Sequence, residues 1–143
     1  MCRSHAAVRS VIGAMVEEWN RPAVIDMEAG IEHMSRGTGQ HVDTILVVIE
    51  PYFKSMETGA RVAELAREMG IKHVYAIANK SRSREDENAL QQFCQQRGLE
   101  LIGVVPEDDA VKTADRLGVA ILDHDETSRA VGELARIVEQ RLM

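Results

Sequence analysis

Asp43-Thr44-Ile45-Leu46-Val47-Val48-Ile49-Glu50 is an aliphatic run of strand length, stopped by Pro51. A run this short and this continuously apolar suits a strand covered on both faces, as in a parallel sheet. Proline ends it because it has no amide to give to a ladder. Downstream, Val62, Ala63, Leu65, Ala66 and Met69 recur at helical spacing, which predicts a helix over about Ser55–Met69 closed by Gly70. His73–Asn79 then reads as a strand and Ser83–Gln96 as a more polar helix closed by Gly98. Leu99–Pro106 reads as a further strand and Asp109–Leu117 as a short helix. A last helix is expected over Glu126–Leu142, with Ala130, Val131, Leu134, Ile137 and Val138 on one face.

Upstream of the deciding stretch, Pro22–Met27 is another apolar run, ending in Asp26 and Met27. An amphipathic helix precedes it over about Ser4–Trp19, and Asn20-Arg21-Pro22 breaks that helix. Strands alternating with helices imply βαβ units, right-handed crossovers and a parallel sheet with flanking helices, an α/β fold. No internal repeat, low-complexity tract or linker interrupts the alternation. Residues 1–143 are therefore expected to form a single α/β domain.

The composition agrees. The chain is 45% hydrophobic and 28% charged, the balance of an ordinary globular protein. Its aliphatic content offsets the entropy of ordering the chain, which counts against disorder. Aromatics are only 3%, so the core must be built from Val, Ile, Leu, Ala and Met; Met15, Met27, Met34, Met56 and Met69 read as core filler. No run of about 18 apolar residues is present, which excludes a membrane-spanning helix. Met1-Cys2-Arg3-Ser4-His5 leads toward Glu17 and Glu18 and does not read as a signal peptide. A formal net charge of -6 gives little support to binding of DNA or RNA. Two cysteines, Cys2 and Cys94, are too few for a disulfide framework. These features read as a soluble, cytoplasmic protein with no nucleic-acid and no membrane partner.

In open parallel sheets ligands bind outside the carboxyl ends of the strands, so those ends are where chemistry is sought. Asp26 follows three apolar residues, as a carboxylate does when a buried strand holds it beside a magnesium-bound phosphate; the same placement fits a helix or turn cap. Gly30, four residues on, allows a backbone amide to approach a phosphate closely. Asn79 carries donors and an acceptor that match a purine edge, though by itself it reads first as a turn with Ser81-Arg82-Ser83. Pro106-Glu107-Asp108 could frame a base through backbone groups or cap the next helix. Arg84-Glu85-Asp86-Glu87 reads as a solvated first helical turn. His41, His73 and His124 are scattered, without metal-ligand spacing.

Taken together the strand ends resemble a known family. Ile25-Asp26-Met27-Glu28-Ala29-Gly30-Ile31-Glu32-His33, followed by Arg36-Gly37-Thr38, is similar to the switch II region of the CooC-type accessory ATPases. These form part of the MinD/ParA branch of P-loop ATPases and help insert nickel into carbon monoxide dehydrogenase. Val47-Val48-Ile49-Glu50-Pro51 with Ser55-Met56-Glu57-Thr58, Ala78-Asn79-Lys80, and Gly103-Val104-Val105-Pro106-Glu107-Asp108 match the same pattern. The resemblance implies ATP or ADP with Mg2+. Asp26 would be the Walker-B acid acting on magnesium and Gly30 the switch glycine. Asn79 would read adenine, with the backbone at Pro106 and Glu107 lining the base. Glu28, Glu32 and His33 belong to the matched run without an assigned role.

The family also carries a phosphate-binding loop on its first strand. These residues contain no G-x-x-x-x-G-K-[ST], and none of the four lysines (Lys54, Lys72, Lys80, Lys112) follows a glycine. The expectation is therefore the C-terminal half of a P-loop NTPase fold, lacking the Walker A region and not expected to hydrolyse ATP alone. The family's Cys-x-Cys pair lies upstream of the Walker-B strand and meets its copy at a dimer interface. The resemblance accordingly makes Cys2 a ligand of Ni2+ or Zn2+ in a homodimer, with His5 a further candidate and carbon monoxide dehydrogenase the client. Cys94 reads as a small buried residue. Two other readings stay open: a non-hydrolysing dimerisation or partner-binding remnant, and a MinD/ParA-type positioning ATPase. A half-fold standing alone is expected to be marginal, sticky or dimeric.

Overall fold

The computed structural model describes residues 24–26, 42–125 and 127–141. Its sheet has three parallel strands in the order β1-β2-β3: β1 (Thr44–Ile49), β2 (His73–Ser81) and β3 (Glu100–Pro106). The crossover helices are α1 (Phe53–Glu68) and α2 (Arg84–Gln96). After β3 come α3 (Asp109–Leu117), the one-turn α4 (Ile121–His124) and α5 (Arg129–Arg141).

Side-chain alternation along the strands divides the core in two. Val47, Ile49, Ala76 and Ala78 pack with Ala63 of α1 and with Leu90 and Cys94 of α2. On the opposite face, Ile77, Ile102 and Val105 pack with Ala130 and Ile137 of α5. Small residues let the helices sit close. A methyl added at Gly59 would collide with the Ile49 side chain, and one added at Gly103 with Ile137. Cys94 is 1% exposed, as its reading as a buried residue anticipated, and burial pushes its thiol pKa up. Met56 and Met69 pack against the core.

The parallel α/β architecture expected from the sequence is present; several details differ. Pro22–Met27 was expected to be a strand, yet its described part, Val24–Asp26, forms none, and Val24 is 98% exposed. An apolar run becomes a strand only where a neighbouring ladder takes up its backbone groups, and among the described residues the sheet ends at β1. For the same reason β1 is covered on one face only among the described residues. Leu46 and Val48 are exposed on the face away from α1, because α5 packs on β3.

Boundaries shift where capping intervenes. The last helix starts at Arg129, three residues later than expected, because Ser128 Oγ accepts from the Val131 amide. Just before it, the amide and hydroxyl of Thr127 both donate to Asp125 Oδ1, at 3.0 and 2.7 Å. The one-turn α4 has no counterpart in the sequence reading. β2 runs two residues past Asn79. The helix expected over Ser4–Trp19, together with Cys2, His5, Glu28, Gly30, Glu32, His33 and His41, lies outside the described residues.

Candidate functional site

Register brings the strand ends level. Ile49 pairs with Ala78, and Ala78 with Val104, so Glu50, Asn79 and Pro106 emerge along one carboxyl edge. Parallel pairing makes this edge the place where three βα loops converge. Asn79 is half-buried there, and its carboxamide makes no hydrogen bond among the described residues. Two donors and an acceptor are thus open to a ligand.

The ladder changes step at Asn79. Between the Ala78–Val104 and Ser81–Pro106 pairs, β2 spends one residue more than β3. This is a bulge, a device that re-aims a side chain. Lys80 occupies it with φ of 57°, and no other non-glycine among the described residues has positive φ. Lys80 Nζ donates to Glu50 Oε1 at 2.8 Å, and the Glu50 carboxylate holds the Lys80 ammonium above its usual pKa. Glu50 is anchored in turn, its amide donating to Ser55 Oγ at 2.9 Å and its carbonyl accepting from the Tyr52 amide at 2.8 Å.

At the end of β3 the acids take different duties. The Glu107 amide donates to the Ser81 carbonyl at 2.8 Å, which ties the β3 exit to β2. Its carboxylate bonds Lys112 at 2.8 Å and the Arg82 guanidinium at 3.0 Å. Those two cations hold Glu107 below the ordinary carboxylate range. The side chain is thereby occupied; Pro106 has no amide hydrogen and that of Glu107 is already committed, so at most backbone carbonyls are left at this exit for a ligand. Asp108 takes the capping alternative: its Oδ1 accepts from the Ala110 amide at 2.9 Å at the start of α3.

Asp26 is exposed, and it makes no hydrogen bond or ion pair among the described residues. The structure thus brings Asn79, Pro106 and Glu107 together on one edge and does not link Asp26 to them; Gly30 and Cys2 fall outside the described residues. No group of three or more His, Cys, Asp or Glu among the described residues is placed to hold a metal ion. Two open clefts flank β3. The one beside its carboxyl end, about 440 Å³, is lined by Ser81, Arg82, Pro106, Glu107, Lys112 and Arg129 among others, and does not reach Asn79. Sequence reasoning passed over the Glu50–Lys80 pair; the signal available was Glu50 closing one strand in register with Asn79-Lys80 closing the next.

No protein-family model matches the sequence. The chain is 39% identical over 123 residues to the carbon monoxide dehydrogenase accessory protein CooC of Rhodospirillum rubrum, covering 86% of this chain and 46% of that protein. It is 36% identical over 138 residues to an uncharacterised ATP-binding protein of Methanocaldococcus jannaschii, covering 96% of this chain and 52% of that protein. Among solved structures it is similar to the septum site-determining protein MinD complexed with Mg-ADP from Pyrococcus horikoshii OT3. The TM-score there is 0.70 at 16% identity, over 96% of this chain and 57% of that chain. At that identity the likeness shows the fold alone. The chain spans about half the length of the curated relatives it matches.

Proposed function

We propose that this chain, a CooC homologue with the fold of the MinD/ParA P-loop ATPases, acts as an ATP-dependent accessory protein that inserts nickel into carbon monoxide dehydrogenase. The observation that carries this reading is the Asn79 carboxamide, without a hydrogen-bond partner among the described residues and set level with the β1 and β3 exits on the carboxyl edge of a parallel sheet. A purine can satisfy that carboxamide. The backbone at Pro106 and Glu107 would line the other side of the base. Asp26 would act on Mg2+, directly or through water, and Gly30 would be the switch glycine near the γ-phosphate. Bound Mg2+ supplies charge neutralisation for the phosphates. Cys2, with its copy across a homodimer, takes Ni2+ or Zn2+ as cargo, thiolate being a fitting ligand for either.

Titration of the purified chain with Mg·ATP and Mg·ADP by calorimetry tests the nucleotide half of this proposal. Binding that weakens about three- to tenfold in Asn79→Ala, the worth of one or two hydrogen bonds, supports it. Equilibrium dialysis against Ni2+, with Cys2→Ser as control, tests the metal half.

A second reading has its own observation: these 143 residues contain no G-x-x-x-x-G-K-[ST] loop. In that case the chain is a non-hydrolysing dimerisation or partner-binding form of the same fold. Affinity for an ATPase-competent CooC-type protein, without nucleotide binding by this chain, favours this second reading.

A further inference from the structure

The bulge at the end of β2 is held by an interaction from the neighbouring strand. Lys80 stands in the left-handed region, where residues with a Cβ are uncommon and strain collects near functional sites. Its neighbour Asn79 presents a carboxamide with no partner among the described residues. The extra residue in the ladder falls between Ala78 and Ser81, so the peptide carrying Asn79 is set by how the bulge is pinned. Two bonds reach it from its neighbours: Lys80 Nζ to Glu50 Oε1 at 2.8 Å from the β1 side, and the Glu107 amide to the Ser81 carbonyl at 2.8 Å from the β3 side. Glu50 follows Ile49, the partner of Ala78, and its backbone is fixed by Ser55 and Tyr52.

We infer that the Glu50–Lys80 ion pair is a positioning device: by pinning the left-handed bulge from the adjacent strand it aims the Asn79 carboxamide and so sets which purine base is accepted. This inference rests on the nucleotide reading of the strand ends. Neither Glu50 nor Lys80 needs to touch the nucleotide. Adenine and guanine differ in the donors and acceptors of the six-position edge, so a carboxamide held in one orientation discriminates, whereas one free to turn over serves both.

The test compares the wild-type chain with Glu50→Ala, Lys80→Gly and Lys80→Arg. Dissociation constants for Mg·ATP and Mg·GTP are measured by calorimetry, and melting temperature is recorded for each protein. Lys80→Gly separates the two roles. Glycine occupies the left-handed region freely, so the fold keeps its melting temperature while the pin is lost. Glu50→Ala and Lys80→Gly are expected to reduce the preference between the two nucleotides about three- to tenfold, the worth of one oriented hydrogen bond. Lys80→Arg, which keeps the charge and a donor, retains the preference. Wild-type selectivity surviving in both Glu50→Ala and Lys80→Gly overturns the inference alone. A wild-type chain that binds neither nucleotide removes the nucleotide reading and the inference with it.

Discussion

Ser128 Oγ donates to Asp108 Oδ2 at 2.8 Å, joining the start of α5 to the start of α3 across twenty residues of sequence. The same carboxylate accepts from the Ala130 amide at 3.3 Å and, through Oδ1, from the Ala110 amide at 2.9 Å. One side chain thus satisfies orphan amides of two helices.

That arrangement makes stability depend on acid pH. The Ser128 hydroxyl first, then the Ala110 and Ala130 amides, hold the Asp108 carboxyl below the ordinary range. A folded pKa lowered in this way contributes stability that is fully present above the unfolded value, about pH 4. The contribution is lost as pH falls through the lower folded value. Asp108→Asn keeps an acceptor for the caps and takes up no proton. Urea midpoints between pH 7 and pH 3 should therefore fall less steeply in the variant than in the wild type; parallel curves would contradict the linkage.

Close packing of β3 against α5 predicts a second effect. A methyl at Gly103 would run into the side chain of Ile137, itself 1% exposed. Gly103→Ala should cost about 1–3 kcal/mol, the usual penalty of overpacking. Shortening the partner with Ile137→Val should recover part of that loss, so the two substitutions couple in a double-mutant cycle followed by denaturant unfolding. Strict additivity would mean that Ile137 is not what limits residue 103.

The sheet was legible because its signals are local. Thr44–Ile49 is apolar and stopped by proline, and Ser83 accepts from the Asp86 amide at 3.2 Å, so α2 begins where a serine followed by acids predicts. Val24-Ile25-Asp26 carries nearly the same local signal and makes no strand, since strand formation needs a neighbour that lies elsewhere in sequence. Lys80 gave no hint of positive φ, because lysine is no turn former and its bulge depends on Glu50 thirty residues away. Asp108 was legible as a cap for the helix beside it; its hold on α5 was not, since only the folded chain brings Ser128 to it. Asn79 on its own reads more readily as a turn residue than as a purine contact; the structure adds that its carboxamide makes no hydrogen bond among the described residues.

Helix α2 should reveal which of its neighbours' apolar residues hold the domain together. Leu90 is fully buried between α2 and the sheet, whereas Leu134 on α5 is 45% exposed. Leu90→Ala should destabilise by about 2–5 kcal/mol, combining lost transfer energy with a cavity. Leu134→Ala should cost about 1 kcal/mol or less, because water already reaches much of its surface. Equal losses in denaturant unfolding would mean that a partner covers Leu134 in solution, in which case the α5 value should depend on protein concentration.

Cys94 offers a probe of how the core opens. It is packed beside Leu90 and the strand residues Ala76 and Ala78, and burial raises its thiol pKa. Thiolate, not thiol, attacks alkylating reagents, so both access and ionisation protect it in the native state. With Cys2 replaced by serine to leave a single thiol, labelling by iodoacetamide at pH 8 should run at least about a hundredfold slower than for the urea-unfolded chain. The rate should also follow the opening of α2: Leu90→Ala, which weakens that contact, should accelerate labelling more than Leu134→Ala does. Labelling at the rate of an exposed thiol, insensitive to either substitution, would mean that α2 does not stay closed over the sheet.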